Sequence, residues 1–263
     1  MSRGSSVVGS GQTAGLGLAL AHVRAEQKMF WRNPVAAVFT FAFPLFFLLI
    51  FAELSPDGLM ASGRFIDRFV PLMSAFGLIS ACFGNLVIFV CERRERGIFK
   101  RRRATPVPAS AVMAGLIGSA TIVAVVLVLL VVLLGRYAYD VAWPAEPALL
   151  AATMVLGSAC FCALGIAISR IIPNEEASPA VSQGLMYPIV FISGTFIPVP
   201  DESILDTVAG VLPVRALNEL FLASFDQIGT DDAAASLGIL AVWMVVGTVL
   251  SILTFRWEPV GRR

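Results

Sequence analysis

The sequence predicts an all-α integral membrane protein, and three observations lead to this fold class. Of its 263 residues, 57% are hydrophobic and only 14% are charged. An ordinary globular domain has about 45–50% apolar and about 25% charged residues. Several runs of about twenty residues carry no charge, which is the length that crosses a bilayer as an α-helix. The charged residues are concentrated between these runs.

Six apolar runs are predicted to span the membrane. Because lipid offers no hydrogen-bond partners, each run must satisfy its backbone internally as a helix. Pro34 opens the first run, Ser110 can cap the third, and Ser178 with Pro179 begins the fifth. The predicted spans are residues 35–53, 69–91, 111–134, 148–172, 177–198 and 237–255.

The distribution of charge predicts the orientation of these spans, because cytoplasmic loops retain Lys and Arg. If the N terminus is inside, fifteen of the nineteen basic residues fall on the inner side and twelve of the eighteen acids fall outside. Seven basic residues lie within positions 93–103, between spans two and three. We predict cytoplasmic termini and a multi-pass location in the plasma membrane of a bacterial cell.

The chain begins with a polar segment rich in Gly and Ser, residues 1–15, which has no apolar core of a signal peptide and is predicted to be disordered. In residues 16–32, apolar side chains recur at helical spacing beside a basic stripe of Arg24, Lys28 and Arg32. With Trp31 at headgroup depth, this pattern predicts an amphipathic helix that lies along the membrane interface. A solvated helix end is the alternative.

The basic loop between spans two and three has two interpretations. It can be a topological anchor that attracts anionic lipid headgroups. However, Glu92 and Arg96 are spaced four apart as on one helix face, and Ile98 with Phe99 adds an apolar contact. This mixture favours a short helix that faces a protein partner.

Several functions are disfavoured by the residues that the chain lacks. No G-x-x-x-x-G-K-[S/T] motif is present for binding phosphates. The interiors of the predicted spans carry no ionisable residue, which disfavours an ion-coupled carrier. A single histidine, His22, gives no catalytic or metal-binding constellation. The four cysteines lie in or beside apolar runs and are interpreted as packing residues.

A pathway for an apolar or amphipathic molecule is predicted from span five and span two. Pro188 should kink span five beside Tyr187, Phe191 and Phe196. On span two, Phe83 and Asn85 are the candidates. Aromatic side chains that face lipid are the alternative interpretation.

A ridge of small residues on span three, Ala111, Gly115 and Ser119, is predicted to allow close helix packing. Contact with a second copy of the chain is the second interpretation.

The order of these features resembles the membrane permease of type-2 ATP-binding-cassette exporters. The resemblance rests on the amphipathic helix ending RNP (32–34), on ERRERG (92–97), on RATP (103–106) and on six spans in this order. It implies an ABC-2 type transmembrane permease domain over residues 16–263. It also implies a coupling helix between spans two and three that docks on a separate ATPase subunit. By this resemblance the coupling residues are Glu92, Glu95, Arg96, Gly97 and Phe99.

The same resemblance extends to two short apolar segments, residues 201–212 and 214–225, which Pro213 separates. Each is too short to span a bilayer. In the family such helices re-enter the outer leaflet and close the pathway. A plain amphipathic outer loop is the alternative.

The sequence therefore predicts the permease subunit of an ATP-driven exporter of lipophilic or amphipathic compounds, such as drugs, antibiotics or lipids. The expected partners are a cytosolic ATPase, a second permease that is identical or different, and membrane lipids, but no nucleic acid. This chain is expected to be no enzyme and to bind no cofactor, since ATP and Mg belong to the ATPase. The alternatives are a membrane scaffold that recruits a cytosolic protein through residues 92–103, and an ion-coupled carrier.

Overall fold

The computed structural model describes residues 9–54, 65–97, 109–196 and 204–254, which form α-helices joined by short turns and include no β-strand. The all-helical class is therefore confirmed. The α-helices are α1 Gly9–Trp31, α2 Pro34–Leu54, α3 Phe65–Ile79, α4 Leu86–Glu95, α5 Ala109–Tyr139, α6 Pro147–Ser169, α7 Ser178–Ile192, α8 Ile204–Val211, α9 Pro213–Ser224 and α10 Ala233–Thr254.

Span two is a continuous helical segment, Phe65–Glu95, in which a π-helical turn, Ser80–Asn85, joins α3 to α4. A helix of this length is about 46 Å long, whereas the hydrocarbon core is about 30 Å thick. The C-terminal turn of α4 therefore extends beyond the lipid, where charged residues are tolerated. Most of the segment is buried, so span two is the central helix of the bundle.

Within the described residues, five helical segments are long and apolar enough to cross a membrane. They confirm a multi-pass membrane protein and correspond to predicted spans one to four and six. The crossing segments are Ala37–Leu54, Phe65–Glu95, Ala111–Tyr139, Pro147–Ser169 and Ala233–Leu253.

The predicted fifth span, residues 177–198, is shorter than expected. Helix α7 has only 15 residues and ends at Ile192, followed by Gly194 with a left-handed φ of 76°. Such a helix is about 22 Å long, less than the hydrocarbon thickness. The chain from residue 197 to 203 lies outside the described residues. A sixth crossing, and with it the inner location of both termini, therefore stays a prediction.

Close helix contacts in the core occur at small residues. A Cβ atom on Gly135 of α5 would lie 2.6 Å from a methyl group of Val70, and one on Gly157 of α6 would lie 2.7 Å from Leu217. Glycine at these two positions leaves room for the side chains of the neighbouring helices to pack against its backbone. The four cysteines are all buried and free, as predicted for packing residues.

Helix α1 packs along α5 through the predicted ridge of small residues. A Cβ atom on Gly115 would lie 2.6 Å from the Cβ atom of His22, and Ser119 accepts a hydrogen bond from Gln27. The interpretation of this ridge as an internal packing surface is thus confirmed. The helix begins at Gly9, and residues 1–8 lie outside the described part. The disordered tail over residues 1–15 stays a prediction.

The two short helices after span five are present at the predicted positions. Pro213 begins α9 at its first turn, where its missing N–H is tolerated. Most of α9 is buried against α3, α6 and α10, including Leu217 and Phe221, so it is no surface loop. Its re-entry into the outer leaflet stays a prediction.

Candidate coupling site and transport pathway

Residues 92–97, which we call the coupling turn, form the C-terminal end of α4. The N–H of Arg96 donates to the carbonyl of Glu92 at 3.0 Å, and the N–H of Gly97 donates to that of Arg94 at 3.1 Å. Gly97 has a φ of 65°, the left-handed conformation with which many helices end. Four of the five predicted coupling residues thus belong to the last turn and cap of span two, while Phe99 lies outside the described residues.

A buried ion pair attaches α1 to the coupling turn. A guanidinium nitrogen of Arg93 contacts a carboxylate oxygen of Glu26, and the two side chains are 10% and 2% exposed. The Arg93 guanidinium also lies 5.9 Å above the ring of Phe89. Burying two charges is tolerated only when they are paired. Helix α1 and span two are therefore held together by charge as well as by packing.

Arg94 attaches the coupling turn to the end of α6. Its guanidinium donates to the carbonyl of Ser169 at 2.7 Å and to the carbonyl of Ile172. The last carbonyls of a helix have no partner within the helix and carry the negative end of its dipole. A buried cation at this position satisfies them, so the ends of spans two and four are fixed to each other.

The acidic residues of the coupling turn face the connection between α6 and α7. Glu95 accepts a hydrogen bond from the backbone N–H of Glu175. Arg96 pairs with Glu92 at 2.8 Å and lies 3.9 Å from the carboxylate of Glu175. The Arg96 side chain is 60% exposed. The turn thus presents a charged surface at one end of the bundle. It is also attached to three other segments, namely α1, the end of α6 and the connection between α6 and α7.

A cavity of about 260 Å³ lies beneath the coupling turn, between α1, α4 and α5. It is lined by Glu26, Arg93, Asn85 and Ser119, among others. Asn85, a predicted pathway residue, donates a hydrogen bond to Thr40 of α2 at 2.9 Å. The structure therefore places Asn85 at the coupling end of the bundle, where it joins spans one and two.

Phe191 and Phe196 belong to an aromatic cluster between α2, α3 and the end of α7. The ring of Phe196 lies 5.1 Å from that of Phe191 and 5.5 Å from that of Phe76. It also lies 5.9 Å from Phe47 and 6.3 Å from Phe51. These separations are typical of attractive ring pairs. We call Phe47, Phe51, Phe76, Phe191 and Phe196 the aromatic cluster.

The other two predicted pathway residues lie apart from this cluster. Phe83 is buried in the π-helical turn and lines an apolar cavity of about 160 Å³ with Phe161 and Met186. Tyr187 is partly buried against the core. The predicted set is therefore divided between the aromatic cluster, this apolar cavity and the cavity at the coupling end.

The sequence did not identify Glu26, Arg93 and Arg94 as the residues that attach the coupling turn to other helices. Glu26 is the only acidic residue before Glu53. An acid placed alone within a basic stripe is a signal for a specific ion pair. The two arginines were recognised only as part of a basic group, because no sequence pattern distinguishes a buried arginine from an exposed neighbour.

The helices and their contacts define a multi-pass α-helical membrane protein whose charged residues are gathered at the ends of its spans. The family model of the ABC-2 type transporter matches residues 18–225. The chain therefore belongs to the ABC-2 type transporter family, as a membrane transporter permease. A search of curated proteins found no match to the chain.

Proposed function

We propose that this chain is the permease subunit of an ATP-driven exporter that moves lipophilic or amphipathic compounds out of the cell. A separate cytosolic ATPase binds ATP and Mg and docks on the coupling turn. A second permease copy or paralogue completes the membrane unit. Both termini face the cytoplasm of a bacterial cell.

The observation that carries this proposal is the attachment of the coupling turn to several elements at once. Arg93 joins it to α1, and Arg94 joins it to the end of α6. Glu95 joins it to the segment before α7. A force that the ATPase applies to the exposed face of this turn would therefore be transmitted to span two, span four and the interfacial helix together. Contiguous hydrogen bonds and ion pairs of this kind can carry motion from an ATPase to the membrane helices.

The character of the pathway supports an apolar or amphipathic cargo. The aromatic cluster joins α2 to α3 and to the end of α7, and Phe191 is 51% exposed at its edge. Phenylalanine rings offer a large apolar surface and no hydrogen-bonding group. Helix α9 is buried in the bundle, whereas α8 packs against α7 and α9 with most of its apolar side chains exposed. We infer that these two helices close the pathway at their end of the bundle.

Purification of the full chain from its native membrane, with the ATPase that accompanies it, tests the proposal. Reconstituted vesicles should transport a lipophilic dye when ATP is added, and the ATPase rate should rise with dye concentration. Transport of a hydrophilic sugar without dye would contradict the cargo assignment. A stable complex that never moves any compound would favour the scaffold function.

A further inference from the structure

We propose that a cavity at the end of the bundle opposite the coupling turn binds the primary ammonium group of an amphipathic amine. The cavity has a volume of about 420 Å³ and lies between α3, the end of α7, α9 and the start of α10. This site is defined by the residues of this chain alone. It goes beyond the proposed transport function and does not depend on an ATPase.

Asn218 of α9 gives the first indication of a ligand. It lines the cavity and is 2% exposed. Its side-chain N–H groups donate to the carbonyl of Ser193 at 3.1 Å and to the hydroxyl of Thr195 at 2.8 Å, which fixes the orientation of the amide. Its Oδ1 atom is buried and has no hydrogen-bond partner among the described residues. A buried acceptor of this kind requires a donor, because leaving it unpaired costs free energy.

Ser193, at the end of α7, gives the second indication. It also lines the cavity, is 1% exposed, and its hydroxyl has no partner in the described part of the chain. Two residues that line the cavity therefore each carry a buried polar atom without a partner among the described residues. A group with several N–H donors satisfies both, and an ammonium carries three.

The charged lining favours a cation over a neutral donor. Three carboxylates, those of Glu219, Asp231 and Asp232, outnumber the guanidinium groups of Arg68 and Arg215. Among the described residues, no ion pair joins Asp231 or Asp232 to a cation. The lining thus has an excess of one negative charge, which a single ammonium would compensate.

The other charges of the lining are already engaged or exposed. Arg215 pairs with Glu219 at 2.7 Å and with Asp206 at 3.5 Å. The second carboxylate oxygen of Glu219 accepts a hydrogen bond from Ser236 at 2.9 Å. Arg68, Asp231 and Asp232 are all exposed, so these three charges lie on the solvent side of the cavity. Asp231 and Asp232 are the lining carboxylates without an ion pair among the described residues.

The remaining wall explains why the ligand should be amphipathic. Leu72, Leu222 and Ile239 line the same cavity as the polar groups. An alkyl chain can pack against these side chains while the ammonium reaches Asn218. The ammonium can belong either to a free amphipathic amine or to the headgroup of an aminophospholipid.

Binding of tritiated decylamine to the purified full-length chain tests the proposal. The chain is held in nanodiscs of phosphatidylcholine, which has no primary ammonium, and protein-free nanodiscs correct for partition into lipid. We expect decylamine to bind at least about tenfold more tightly than decanol. The double variant Asp231→Asn/Asp232→Asn should lose this preference. Asp226→Asn removes one charge from the same loop outside the cavity, at a left-handed φ of 56° that Asn tolerates, and should bind as the parent does.

A second variant, Asn218→Leu, removes the unpaired acceptor and should weaken the binding of decylamine more than the binding of decanol. If this variant does not fold, the aspartate variants decide the outcome. Equal binding by the parent and the aspartate double variant would overturn the proposal, and so would decyl sulfate or decanol binding as tightly as decylamine. Competition by phosphatidylethanolamine in the nanodisc would identify the lipid headgroup as the source of the ammonium. Without such competition, the ligand is a free amine.

Discussion

Glu26 and Arg93 form an ion pair between helix α1 and the end of span two, and both side chains are almost completely buried. Removal of one partner from a buried pair leaves an uncompensated charge, which costs more than the pair itself contributes. Around this pair, Phe30 of α1 lies 6.3 Å from Phe89 and 6.2 Å from Phe41. The junction therefore combines charge with aromatic packing, and α1 moves with span two.

We expect Glu26→Gln to lower the free energy of unfolding by about 3 kcal/mol, because Arg93 is left buried without its counter-charge. The measurement is reversible unfolding of the purified chain in mixed micelles. Lys28→Gln is the matched control, since Lys28 is exposed on the same helix, and it should change stability by less than about 0.5 kcal/mol.

The double variant Glu26→Gln/Arg93→Gln distinguishes the pair from general disruption. Its loss of stability should be smaller than the sum of the two single losses by about 1 kcal/mol or more. Strict additivity would show that the two charges do not interact in the folded chain.

Charge reversal at the coupling turn should separate ATP hydrolysis from transport. Glu95 is exposed and Glu92 is partly exposed, and the Glu92–Arg96 pair contributes less than about 1 kcal/mol to stability. The reversal also removes the hydrogen bond that the Glu95 carboxylate accepts from the backbone N–H of Glu175, which is an exposed contact. Glu92→Lys/Glu95→Lys should therefore insert and fold normally, whereas the export of dye per ATP hydrolysed falls several-fold. Both rates are measured in the same reconstituted vesicles.

Glu146→Lys provides the control for this prediction. Glu146 is an exposed acid immediately before α6, at the end of the bundle opposite the coupling turn. Its reversal should leave export per ATP unchanged. If the coupling-turn variant also exports as much dye per ATP hydrolysed as the parent protein, residues 92 and 95 do not transmit force.

The sequence was sufficient to predict those parts of the fold that depend on length and composition. Five apolar runs are helices near their predicted positions because a long uncharged run has no other stable state in lipid. Pro213 marked the boundary of α9 because proline favours the first turn of a helix. The ridge at Gly115 and Ser119 indicated close packing, although it did not identify α1 as the partner.

Other features depended on contacts that sequence patterns do not record. The π-helical turn at Ser80–Asn85 leaves the apolar run of span two unbroken, so hydropathy cannot detect it. Helix α7 ends early because its last turn is followed by Gly194 in a left-handed conformation, although the uncharged run continues to residue 198. Likewise, Glu26 and Arg93 are far apart in sequence, and only the fold brings them together.

The approach of α1 to α5 should be sensitive to a single methyl group. In Gly115→Ala, the new Cβ would lie 2.6 Å from the Cβ of His22 and 3.3 Å from its backbone carbonyl carbon, so α1 must move away. We expect a loss of about 1–2 kcal/mol in the free energy of unfolding, since overpacking exceeds the gain in helix propensity. Export should fall as well, because α1 carries Glu26.

Gly238→Ala is the corresponding control in α10, where a Cβ atom would meet nothing within 4 Å. This substitution should leave stability unchanged or raise it by up to about 1 kcal/mol through helix propensity. An equal effect of both alanine substitutions would mean that α1 and α5 are not in close contact at Gly115.

The aromatic cluster provides the most direct test of the pathway. Phe196 is its centre, with four other rings within 6.3 Å. Phe196→Ala should lower dye export several-fold and reduce stability by about 1–3 kcal/mol, while Phe196→Leu should recover most of the stability. A role in cargo binding predicts that Leu restores folding but not the affinity for an aromatic dye, so the KM for export rises. Phe46→Ala, at a 60% exposed position of α2 outside the cluster, should change neither dye export nor stability. Full recovery of export by Phe196→Leu would instead assign Phe196 to packing, and the pathway would then have to lie elsewhere.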